Sequence, residues 1–101
     1  MESARARTAP SITVELLGVA RLLAGCDELR VPYPPEATAG ALLDAVASRL
    51  PALVGPVFVS GGGGLTDGFV LSLDGRAWTR DPGAALGGAS RALLLSNVAG
   101  G

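Results

Sequence analysis

The sequence predicts an α+β domain in which a mixed sheet carries one main helix across one face, with elements in the order ββαβββ. Three observations lead there. "SITVELL" near the start alternates Ile12, Val14 and Leu16 against Thr13 and Glu15, the period of a half-buried strand. "AGALLDAVASRL" places Leu42, Leu43, Val46 and Leu50 at helical spacing. After it come two apolar runs around Asp74-Gly75, a strong short-range hairpin signal, and then a final apolar run, "RALLLSN". Two strands, a helix and further strands close most simply as one sheet with the helix on one side.

Each element has its boundaries in the sequence. Residues 1–10, "MESARARTAP", mix small, polar and basic residues without period and read as an arm outside the fold. The domain runs over 11–97. "GVARLLAG" reads as a glycine-bounded connection to a second strand in "CDELRVPY", where Leu29, Val31 and Tyr33 share a face, so the first two strands form a hairpin. Pro34 and Pro35 stop that strand. Thr38 is placed to cap the helix, and Pro51 marks its end. From 51 to 68, two prolines and the glycines at 61–64 favour a loop with one short helical turn. "FVLSL" and "RAWT" flank the Asp74-Gly75 turn, and "DPGAALGGAS" connects to the last strand.

Composition removes much chemistry. With 101 residues, 49% of them apolar and 17% charged, the chain suits one domain with one modest core and lies far from the composition of a disordered segment. The formal charge is −1 and the arginines are scattered, so no basic stripe follows a phosphate backbone, and nucleic acid is not an expected partner. No apolar run reaches the length of a membrane span, which makes a cytoplasmic protein the expectation. Histidine is absent and Cys26 stands alone, which leaves no disulfide and no expected metal site. Lysine is also absent, excluding a Schiff base and a P-loop; the glycines at 61–64 therefore read as a flexible loop. Cys26 reads as a small, partly buried apolar residue, with no lysine or histidine to activate it. No catalytic residue and no bound cofactor are expected.

Apolar residues fall on both faces of several strands: Leu71 and Leu73 against Val70, Leu93 and Leu95 against Leu94, and Leu17 against Ile12, Val14 and Leu16. If the helix covers one face, the other carries an apolar patch. Such a patch suits a partner, although scattered surface apolar residues are also ordinary.

The sequence closes on "LLLSNVAGG". Residues 98–101, namely Val98, Ala99, Gly100 and Gly101, would reach about 13 Å beyond the sheet if extended. Without Cβ atoms on the last two, such a tail enters a narrow channel and presents an unhindered carboxylate. That group suits adenylation by another enzyme. The bland reading is a frayed terminus.

These residues resemble the ThiS/MoaD sulfur-carrier family, and most closely the small subunit of molybdopterin synthase. "ITVELLGVARLLAG" is similar to that subunit's first strand and following A-x-x-R-x-x-x-G turn, "FVLSLDGRAW" to its central hairpin, and "LLLSNVAGG" to its last strand and tail. The resemblance covers residues 11–101. It implies a ubiquitin-like β-grasp fold in which Gly101 is adenylated and becomes a thiocarboxylate, with Val98, Ala99 and Gly100 as the threading tail. It implies contact with partners at Leu17 and Leu95, with Trp78 and Arg21 as further candidates; Arg21 reads equally well as a solvated turn residue. The implied partners are a ubiquitin-activating-type adenylyltransferase, which uses ATP, and a sulfur-accepting synthase such as the molybdopterin synthase large subunit. A carrier for cysteine, thiamin or secondary-metabolite synthesis, a modifier joined to other proteins through Gly101, and a plain interaction module remain as alternatives.

Overall fold

The computed structural model describes residues 11–34, 36–60 and 64–96. The expected arm over 1–10 and the tail over 98–101 lie outside the described residues. Five strands, β1 (Ser11–Leu16), β2 (Glu28–Pro32), β3 (Phe69–Leu73), β4 (Ala77–Thr79) and β5 (Arg91–Ser96), form one mixed sheet in the order β2-β1-β5-β3-β4. β1 and β5 run parallel at its centre, and the other neighbours are antiparallel. The expected α+β order ββαβββ is present, with one addition.

That addition lies in "GVARLLAG". Read as a plain connection, it instead folds as a six-residue helix, α1 (Val19–Ala24). Two glycines set its ends: Gly18, with φ +61°, turns the chain out of β1, and Gly25, at φ +78°, donates its N–H to the Arg21 carbonyl at 3.0 Å. Six residues are too few to display a helical period, so the glycines alone were legible.

The main helix, α2 (Ala39–Arg49), begins where Thr38 accepts a hydrogen bond from the Ala41 N–H at 3.2 Å. It ends at Leu50, and Pro51 opens a short 3-10 turn, Pro51–Leu53. Leu42, Leu43 and Val46 of α2 join Ile12, Val14, Leu16, Val31, Phe69, Leu71, Leu73, Ala92 and Leu94 in one core. Among the described strand residues, every buried one except Ser72 belongs to the helix-side alternation, so the core is one-sided, as in a two-layer domain.

α2 sits unusually close to the connector that follows β4. The Gly40 N–H donates to the Pro82 carbonyl at 2.7 Å, and a Cβ on Gly40 would stand 2.9 Å from that oxygen and 3.0 Å from the Pro82 Cβ. Gly40→Ala gains up to about 1 kcal/mol of helix propensity but loses about 1–3 kcal/mol to overpacking. The expected net result is a loss of about 1 kcal/mol in unfolding free energy, read as a lower urea midpoint. A raised midpoint would mean that the connector yields.

The stretch after the 3-10 turn is a loop with more order than expected. Val57, Phe58 and Leu65 are buried, and Phe58 pairs with Leu65 through an isolated bridge. Arg80 holds the far side: its Nε donates to the Phe69 carbonyl at 2.9 Å and its Nη2 to the Thr66 carbonyl at 2.8 Å. Arg80→Met removes charge-assisted bonds worth about 1–2 kcal/mol at this partly exposed site. Hydrogen exchange should accelerate at residues 65–69 before it does in β1 or β5; equal protection there would show that the carbonyls are held by other means.

Candidate functional site

The sheet face turned away from α2 follows from strand parity. Residues paired across neighbouring strands share a face, so Trp78, Ser72, Leu93, Glu15 and Glu28 form one row across all five strands. Val70 pairs with Leu95 on the same face. Leu17 continues the alternation of Thr13 and Glu15 just past β1, and its N–H donates to the Leu94 carbonyl at 3.0 Å.

This open face has two halves of different chemistry. Around β3 and β5 it is apolar, with Val70, Leu93 and Leu95, while Trp78 is 58% exposed beside them on the edge strand β4. Toward β1 and β2 it is charged. The Arg91 guanidinium meets the Glu15 carboxylate at 2.7 Å and lies 3.8 Å from Glu28. A flat face with an apolar half and an ion-paired half can dock a partner in one orientation, the apolar part supplying area and the charges fixing register.

Two residues on or beside this face do more than the sequence implies. Ser72 is fully buried between the Leu93 and Trp78 positions, and its hydroxyl has no hydrogen-bond partner among the described residues. Nothing in an isolated serine marks it as buried. Asp74, read as turn chemistry alone, does more. At φ +53° it opens the β3–β4 turn, and its Oδ1 accepts from the Ser90 and Arg91 N–H groups at 3.2 and 3.1 Å, fixing the start of β5.

The expected interface residues divide by location. Leu17, Leu95 and Trp78 come to the open face. Arg21 does not; it is exposed on α1, at the end of the sheet where β1 and β5 finish. Val98, Ala99, Gly100 and Gly101 lie outside the described residues, so the geometry ends at Ser96, one residue after Leu95. Among the described residues, no helix is long and apolar enough to cross a membrane. Nor do they gather His, Cys, Asp and Glu side chains into a metal-holding group.

No protein-family model matches the sequence, and none of the curated proteins does. Solved structures do match. Small archaeal modifier protein 1 from Haloferax volcanii is 31% identical, with a TM-score of 0.73 over 90% of this chain and 99% of that one. A second crystal structure of H. volcanii small archaeal modifier protein 1 gives 29% identity and a TM-score of 0.70, covering 87% and 98%. The solution structure of the protein of that name from Methanosarcina acetivorans is 19% identical at a TM-score of 0.68, covering 92% and 98%, and shows the common fold. With nearly a third of residues identical along almost the whole of both chains, this chain belongs to the small archaeal modifier proteins, ubiquitin-like β-grasp proteins related to the ThiS/MoaD sulfur carriers.

Proposed function

We propose that this chain is a sulfur carrier of the molybdopterin synthase small-subunit type, acting as a protein cosubstrate whose activated group is the carboxylate of Gly101. The observation that carries it is the position of β5: a central strand of the sheet ends with Leu95 on the apolar half of the open face and Ser96 after it, and N-V-A-G-G follows. An enzyme docked on Val70, Leu95, Leu17 and Trp78 would find the tail at its own surface. Residues 11–97 act as the grip and 98–101 as the threading tail, with 1–10 as an arm.

The chemistry belongs to the partners. In a ubiquitin-activating-type adenylyltransferase, the Gly101 carboxylate oxygen attacks the α-phosphate of ATP and pyrophosphate leaves. Hydrosulfide then adds to the acyl carbon and AMP leaves, giving the thiocarboxylate. At a synthase the thiocarboxylate sulfur bonds to an electrophilic carbon of the acceptor, and water then cleaves the acyl–sulfur bond of the resulting thioester, leaving the sulfur on the acceptor and restoring the carboxylate. No group of this chain performs these steps; it supplies a docking surface and an unhindered carbonyl. Because ATP is consumed, the reading sets the protein in the cytoplasm.

A second reading is favoured by the name of the 31% identical relative, a modifier protein. The same adenylate, or a thioester made from it, would then be attacked by a lysine amine of another protein. The sequence contains no lysine, so lysine-linked chains of this protein cannot form. Intact mass spectrometry tests both readings after incubation with ATP, sulfide and the adenylyltransferase. A gain equal to replacing one oxygen by sulfur supports the carrier; an unchanged mass with lysine-linked conjugates supports the modifier; neither product leaves a binding module.

A further inference from the structure

α1 is an inverted helix. Its six residues bury Ala20 and half-bury Ala24, and they turn their large apolar side chains outward: Leu22 is 76% exposed, Val19 48% and Leu23 39%. With about 100° between successive residues, Leu22 stands opposite the Ala20–Ala24 side, with Val19 and then Leu23 next to it around one side of the helix and Arg21 on the other. Amphipathicity that served folding alone would put the leucines inward and the alanines out. Single exposed leucines are ordinary, but three neighbouring apolar side chains on one helix face make a patch.

The place of this ridge identifies what covers it. α1 follows the end of β1 and packs on β5 and the 3-10 turn, so it flanks the strand end from which the chain leaves the sheet. Five residues follow Ser96, a reach of at most about 17 Å. An active site that holds Gly101 within that distance must come up to the end of the sheet that α1 flanks, close to the α1 ridge. Sulfur transfer and protein modification end on different acceptors, but both begin with the adenylate. The adenylating enzyme is therefore the occupant that both readings share.

We propose that the Val19–Leu22–Leu23 ridge of α1 is a second docking surface, separate from the open sheet face, and that it seats in an apolar groove of the adenylating enzyme with an acidic group opposite Arg21. The inference rests on Gly101 being the residue activated. The ridge holds the carrier in place and leaves the chemistry at the acyl carbon untouched.

ATP–pyrophosphate exchange by the ubiquitin-activating-type adenylyltransferase of the source organism tests this, with the full chain as carrier. Leu22→Arg, and separately Val19→Ser with Leu22→Ser, should raise the KM for the carrier at least about tenfold while changing kcat less than about twofold. Thermal unfolding should be unaltered, because these side chains are exposed in the free protein. Unchanged KM in both variants would overturn the second surface while leaving the activated tail intact. A dimer of the wild-type chain in analytical ultracentrifugation that Leu22→Arg dissociates would assign the ridge to a second copy and overturn it as well. Absence of exchange with the wild-type chain would instead remove the activated tail itself, and the inference with it.

Discussion

Deleting Gly100 and Gly101 should abolish the proposed thiocarboxylate formation and leave the urea unfolding transition of the protein where it was. The shortened chain ends its carboxylate at Ala99, about 7 Å behind its former reach. A displacement of about 1 Å from the productive position can already lower a rate about a hundredfold, so the remaining activity should fall below detection. Stability stays because the ladder of β5 with β1 and β3 extends from Arg91 to Ser96 and the core contributed by this strand is Ala92 and Leu94. The readouts are intact mass after incubation with ATP, sulfide and the adenylyltransferase, and a denaturant titration of the same sample. Full thiocarboxylate yield from the deletion variant would sink the assignment of Gly101 as the activated residue and of Gly100 to the threading tail. A lost product together with a lowered midpoint would show that the two glycines act through the fold.

The parts of this architecture legible in sequence are those whose signal is local and repeated. β1 shows itself by alternation, β3 and β5 by short apolar runs, α2 by Leu42, Leu43 and Val46 with Thr38 and Pro51 at its ends, and the β3–β4 turn by Asp74-Gly75. The division of the strands between a helix side and an open side followed from the same parity. What escaped was short or distant. α1 has less than two turns, and its outward leucines conflict with the usual rule that apolar residues mark the core. The Asp74 carboxylate finds its partners sixteen and seventeen residues away, at Ser90 and Arg91. The bridge between Phe58 and Leu65 spans a glycine tract that reads as a flexible loop. Nothing close to Arg91 in sequence marks its partners. In the structure it closes on Glu15 and Glu28, from strands far away in sequence.

Leu94 and Leu95 are neighbours in β5, and their replacement by alanine should separate folding from recognition. Leu94 is fully buried on the helix side, paired with Leu16 of β1 and Leu71 of β3, both also buried. Truncating it leaves a cavity at the centre of the core, and Leu94→Ala should lower the unfolding free energy by about 2–5 kcal/mol. That is a large share of the roughly 5–15 kcal/mol that holds a small domain together, so the variant should be partly unfolded under mild denaturant. Leu95 points to the opposite face beside Val70 and is only half-buried. Leu95→Ala should cost less than about 1 kcal/mol in the same titration, because most of the lost area was never removed from water. Its effect should appear in pyrophosphate exchange, as a rise of about tenfold in the carrier's KM. If Leu95→Ala destabilised the protein as much as Leu94→Ala, the open face would be part of the core, and the docking role assigned to it would fail. If neither affinity nor stability moved, the partner would be gripping the carrier elsewhere, and the charged half of the face around Arg91, Glu15 and Glu28 would be the next surface to substitute.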